Sequence, residues 1–212
     1  MAQFLIVAFI VIVCLTVIAI VKKARRLKRE NLIDNFEFPT SIAQKVNDKY
    51  PHLDSAEVDM AMDGLREYFH ICNIAGRKRV SMPSQVVDVA WHEFILFTRL
   101  YQNFCSRSFG RFLHHTPAEA MKSATEAQKG IKTAWRIACF RENIQPKSPH
   151  KLPLLFALDA KLNIPDGFNY ALDCSKADSH PYCGSHISCG SGCAGSCSGD
   201  SSGCSSGCGG GD

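Results

Sequence analysis

The sequence predicts an all-α chain made of an N-terminal transmembrane helix, a small cytosolic bundle of about five helices and a disordered C-terminal tail. Three observations predict it. Phe4 to Val21 is an uncharged run without proline or glycine. Between residues 39 and 172 apolar side chains recur at helical spacing, with no alternating strand pattern longer than a few residues. From Cys183 to Asp212, Cys, Gly and Ser fill twenty-five of thirty positions, which leaves almost nothing to bury. The organisation that follows is 1–21 as the spanning helix, 22–38 as a basic juxtamembrane segment and linker, 39–172 as the helical domain and 173–212 as the tail. A chain of 212 residues has room for one ordinary domain beside such extras.

Ala2 and Gln3 extend the apolar run toward the ~20 residues that cross a bilayer core. No Lys or Arg precedes it and no small-x-small site follows, so a cleaved signal peptide is disfavoured. Lys22, Lys23, Arg25, Arg26, Lys28 and Arg29 come directly after it. By the positive-inside rule this predicts a single-pass protein of a plasma membrane, such as a bacterial inner membrane, with its N-terminus outside and its domain cytoplasmic. The six cations are expected to touch lipid heads, each worth about 1 kcal/mol near an anionic surface. Taking these six from the 24 Lys and Arg leaves 18 against 20 Asp and Glu, a formal balance of −2. No basic domain remains and aromatics are not interleaved with cations, so a nucleic-acid partner is not expected.

Asn31 to Phe38 reads as a polar connector, and Pro39 marks the start of folded structure. Thr40 or Ser41 caps a short helix to about Asn47, ended by Tyr50-Pro51. Asp54-Ser55-Ala56-Glu57 has capping-box spacing and opens a helix with apolar groups at Val58, Leu65, Phe69 and Cys72, stopped at Gly76. Pro83 starts a long helix from about Ser84 to Ser108, with a stripe through Val87, Trp91, Phe94, Thr98, Tyr101 and Cys105, closed by Gly110. Thr116-Pro117-Ala118-Glu119 combines an N-cap, a first-turn proline and a capping-box glutamate, which predicts a helix to about Phe140 that Gly130 can split. Leu152 to Leu162 forms a last, shorter helix.

Within this frame Asp88 and His92 stand four apart and share a helix face, while His114 and His115 precede the Thr116 cap. A chain reversal between them would bring two imidazoles and a carboxylate together, a ligand set suited to zinc, non-haem iron or another transition metal. The competing reading has Asp88 accepting a hydrogen bond from His92, with His114 and His115 in ordinary turn contacts. His92-Glu93 is not a zincin motif because position 96 is leucine. There is no nucleophile elbow, P-loop or dinucleotide fingerprint. Cys105 reads as core, and His70 and Cys72 as helix residues of no special role.

Val87-Asp88-Val89-Ala90-Trp91-His92, then Thr98 and Tyr101, then Phe109-Gly110-Arg111-Phe112-Leu113-His114-His115 resembles the helical region of the glycine-rich domain-containing-protein-like family. That resemblance implies a helical fold, grouping of these residues and a Cys- and Gly-rich tail, but no reaction. Phe94 stands where that family's motif has a second histidine.

The tail holds Cys183, Cys189, Cys193, Cys197, Cys204 and Cys208. In a reducing cytosol such thiols are suited to soft-metal binding or reversible oxidation. Their Cys-x-x-x-Cys spacing is looser than that of structural zinc knuckles. Gly-Ser and Gly-Cys pairs also resemble peptides whose Ser and Cys are cyclised to azoles or thioethers. The expectation is thus a membrane-anchored, non-enzymatic binding or adaptor protein with an unidentified protein partner. The alternatives are a metal-dependent enzyme built on the Asp/His cluster, or a tail that is a substrate for Ser/Cys modification.

Overall fold

The computed structural model describes the backbone of residues 2–115, 124–172, 182–183 and 187, with side-chain detail for most of these. The described chain is mainly helical: α1 (Ala2–Asp34), α2 (Thr40–Lys49), α3 (Ser55–Ala75), α4 (Gln85–Leu96), α5 (Thr98–Phe109), α6 (Ala124–Arg141) and α7 (Leu154–Lys161). Two short strands, β1 (Tyr170–Ala171) and β2 (Tyr182–Cys183), pair in parallel, which the sequence pattern did not anticipate. The expected helix start at Thr116 and the tail cysteines beyond Cys183 lie outside the described residues.

Helix α3 is the central rod, touching α1, α2, α4, α5, α6 and α7. It begins with the expected capping box: Glu57 N donates to Asp54 Oδ1 at 2.8 Å, and Asp54 N donates to Glu57 Oε2 at 3.0 Å. Phe69 on α3 meets Phe94 of α4 at 6.0 Å and Phe104 of α5 at 4.9 Å between ring centroids, so one aromatic cluster closes three helices. Each such burial contributes roughly 1.5–3 kcal/mol. Where α3 crosses α7, Gly64 provides the clearance. A Cβ there would come within 2.5 Å of Leu158 Cδ1 and 2.8 Å of Val87 Cγ2. Gly64→Ala is expected to lower unfolding free energy by about 1–3 kcal/mol, because the branched Val87 cannot swing aside. Urea denaturation checks this, and an unchanged midpoint would refute it.

The connector reading of 31–38 is corrected. α1 runs to Asp34, Ile33 is fully buried, and Phe36 packs 4.5 Å from Phe104 and 5.1 Å from Phe38. Arg66 Nη1 donates to the carbonyls of Ile33, Asp34 and Phe36, satisfying the open end of α1, while its guanidinium lies 5.1 Å from the Phe38 ring.

The expected single-pass placement, with the N-terminus outside and the domain cytoplasmic, is also corrected. Among the described residues no helix is long and apolar enough to cross a membrane. α1 is one helix from Ala2 to Asp34 that joins the apolar run directly to the cations Lys22 to Arg29. The rod then continues unbroken through the basic segment into the bundle. Its apolar side chains from Phe9 to Val21 are exposed.

The long helix expected from Ser84 to Ser108 is two helices. Phe97, at φ −77° and ψ 58°, ends α4 and starts α5, with neither proline nor glycine at the break. The break lets α5 swing so that Tyr101, Phe104 and Cys105 are all buried. Gly110 closes α5 in the left-handed region at φ 69°. Gly130 does not split α6, which is continuous from Ala124 to Arg141. Its missing side chain instead makes room for Ser81, whose backbone N would lie 2.9 Å from a Cβ.

Candidate metal centre

The start of α4 is positioned from a distance. Asp159 of α7 is buried, and its carboxylate accepts from Ser84 Oγ at 2.7 Å, Gln85 N at 2.6 Å, Val86 N at 3.2 Å and Phe168 N at 2.8 Å. Ser84 Oγ in turn accepts from Val87 N at 3.4 Å. A carboxylate at a helix N-terminus satisfies open donors and complements the positive end of the helix dipole. This fixes the first turn of α4, which carries Asp88.

From that turn, Asp88 and His92 project on one face, with His92 Nδ1 at 3.4 Å from Asp88 Oδ2. The chain leaving α5 folds back over them. Trp91 Nε1 donates to Tyr101 Oη at 3.1 Å, and the Tyr101 hydroxyl donates to the Leu113 carbonyl at 2.5 Å. Burial of Tyr101 raises its pKa well above the phenol range, so this hydroxyl stays protonated and keeps donating. The returning loop is therefore tied to the helix two residues before His115. His115 Nε2 then reaches Asp88 Oδ1 at 3.0 Å. Its ring sits edge-on to Trp91 at 4.6 Å and 4.1 Å from the His92 ring.

Asp88, His92 and His115 each offer a ligand atom, and these atoms all lie within 4.8 Å of one another. One ion with bonds of ~2.0–2.2 Å holds its ligands somewhat closer than that, so binding needs side-chain shifts of order 1 Å. Asp88 and His115 are half-buried, whereas His92 is exposed, which leaves an approach from solvent. His114 is not in the group: it is exposed and its ring lies 4.8 Å from Phe112.

The remaining sequence candidates are scattered. Cys105 is fully buried core, as expected, and burial pushes its pKa up. The Cys72 thiol is pushed up to about 12 by the same cause, so neither is a thiolate nucleophile at neutral pH. Cys183 lies on β2. Of the six basic residues, Arg26 pairs with Glu30 at 2.8 Å. Two polar groups escaped the sequence reading. Asp159 carries the α4 cap, and the sequence sign for it is a lone carboxylate within the apolar run Leu154-Leu155-Phe156-Ala157-Leu158. His70 is buried, with Nε2 at 2.7 Å from Asp34 Oδ1. Burial and the Arg141 charge lower its pKa despite the opposing pull of Asp34. Thirty-six positions separate that pair, so no local pattern announces it.

The fold and site together define a helical domain that gathers a carboxylate and two imidazoles between a helix and a returning loop. The chain belongs to the UCP032817-like family, whose model matches residues 28–190. No curated protein and no solved structure matches.

Proposed function

We propose that the protein is a metal-binding helical module in which Asp88, His92 and His115 hold one divalent transition ion, zinc foremost. The observation that carries this reading is the convergence of three ligand atoms of the right chemistry within 4.8 Å. Two imidazoles and one carboxylate form a recurrent set for zinc and non-haem iron, and three protein ligands leave a coordination position open. Both ligand-bearing segments, 87–92 and 109–115, are also those that resemble the glycine-rich domain-containing-protein-like family. The role is binding or adaptor function rather than catalysis. The Tyr101 phenol is committed to the Leu113 carbonyl and holds the returning loop in place.

Cobalt(II) titration of the full-length chain tests this, because cobalt bound by nitrogen and oxygen ligands lacks the thiolate charge-transfer band that the tail cysteines would give. One equivalent of nitrogen/oxygen-type cobalt is expected, displaced by zinc. His92→Ala, at an exposed position, is expected to weaken it by roughly 100-fold or more. A cobalt spectrum of thiolate type only, or an unchanged nitrogen/oxygen signal in His92→Ala, would sink the proposal.

A further inference from the structure

Lys22, Arg25, Arg26 and Arg29 occupy positions i, i+3, i+4 and i+7 of α1, a spacing that lines one helix face. That face meets the last turns of α3, and together they form a cleft of about 270 Å³ lined by these four residues with Asn73 and Ile74. Arg26 is engaged with Glu30. Among the described residues, Lys22, Arg25 and Arg29 have no ion-pair partner.

A simpler use for these cations would be to neutralise the carbonyl end of α3. Arg111 already serves that end, donating to the Gly76 carbonyl from Nη2 at 2.6 Å and from Nε at 3.2 Å. Arg29 is held in place from the other side, where its Nη2 would lie 2.6 Å from a Cβ at position 110, so glycine there admits the guanidinium. The α3 wall of the cleft adds an unmet donor of its own, since Asn73 Nδ2 is buried and without a hydrogen-bond partner. A buried amide donor calls for an acceptor. Three uncompensated cations beside it call for negative charge.

We infer that this cleft binds an anion carrying more than one phosphoryl group. The seven-residue step from Lys22 to Arg29 spans about 10 Å along the helix axis, more than one phosphate covers and well matched to two or three in a row. The arginine forks engage phosphate oxygens in pairs, Lys22 supplies a point charge at one end, and Asn73, on the α3 wall, rotates its unmet amide from its buried position toward an oxygen of the bound anion. A free oligophosphate and a phosphorylated lipid head present this same chemistry.

The experiment titrates tripolyphosphate calorimetrically into the full-length chain. In parallel, it measures flotation with phosphatidylcholine vesicles that do or do not contain phosphatidylinositol bisphosphate. Arg25→Ala is expected to weaken binding by about tenfold, Asn73→Ala several-fold, and Lys23→Ala, outside the cleft, not at all. Lys22→Gln, at an exposed position, supplies the same readout should Arg25→Ala fail to fold. Tripolyphosphate binding with this pattern identifies a free oligophosphate site. The pattern seen only with bisphosphate-containing vesicles identifies the lipid head. Binding of neither probe, or equal loss in Arg25→Ala and Lys23→Ala, overturns the inference.

Discussion

Replacing Asp159 with alanine is expected to cost about 3–5 kcal/mol of unfolding free energy, more than truncating any single polar contact on the surface. The carboxylate accepts four hydrogen bonds, three from backbone N–H groups of Gln85, Val86 and Phe168 and one from Ser84 Oγ. Alanine brings no acceptor, and the site gives water little room. Ser84 and Val86 are fully buried, and the 164–168 turn closes over Asp159 so tightly that a Cβ at Gly167 would lie 2.6 Å from Asp159 Cβ. Each abandoned donor therefore costs its desolvation, about 1–3 kcal/mol, offset in part by Ser84 Oγ remaining free to serve Val87 N. Asp159→Asn keeps the shape and one acceptor oxygen but turns an amide nitrogen toward two donors, so it should recover only part of the loss. With domains stable by about 5–15 kcal/mol, the alanine variant stands near the threshold of folding. Urea denaturation measures it, and a loss below about 1 kcal/mol would show that the α4 cap is not rooted in α7.

What the sequence made legible was local. The capping box at Asp54 and Glu57, the stop at Gly76 and the left-handed Gly110 each depend on a few neighbouring residues, and each formed as the pattern required. The break at Phe97 was not legible, because no residue there disfavours a helix. It arises from tertiary packing, which rewards turning Tyr101, Phe104 and Cys105 inward more than it costs to lose one turn. Phe36 and Phe38 were hidden for the same reason. Beside Asp34, Asn35 and Glu37 they read as a linker, although their rings complete the cluster around Phe94 and Phe104. For the site, the four-residue step placed Asp88 and His92 on one face, and the paired histidines suggested the third ligand. Which of the pair turned inward was set by the Tyr101 tether to Leu113, a contact across twelve positions. The partners of Asp159 on α4 and the Asp34 partner of buried His70 lie farther apart still, beyond the reach of any periodicity.

Asp88→Asn separates a metal centre from a merely structural polar contact, since the two assignments predict opposite balances of effect. Asp88 now faces His115 at 3.0 Å and His92 at 3.4 Å. As a purely structural acceptor it would hold the returning loop, and the isosteric amide would lower stability while leaving the response to metal unaltered. As a ligand it supplies the one negative charge that offsets a divalent ion. The amide should then weaken zinc by roughly 100-fold while changing apo stability by no more than about 1 kcal/mol, because its remaining oxygen still accepts from His115 and the exposed His92 turns to water. In the parent protein, free zinc at a hundred times its dissociation constant stabilises the fold by about 2.7 kcal/mol, provided that the unfolded chain does not compete for it. For a domain of this size that is a rise in melting temperature of roughly 5–10 °C. Thermal denaturation with and without zinc, after the thiols have been blocked, reads both quantities at once. The expected result is a zinc-dependent rise in the parent that Asp88→Asn abolishes; an equal rise in both proteins would assign Asp88 to the structure and not to the ion.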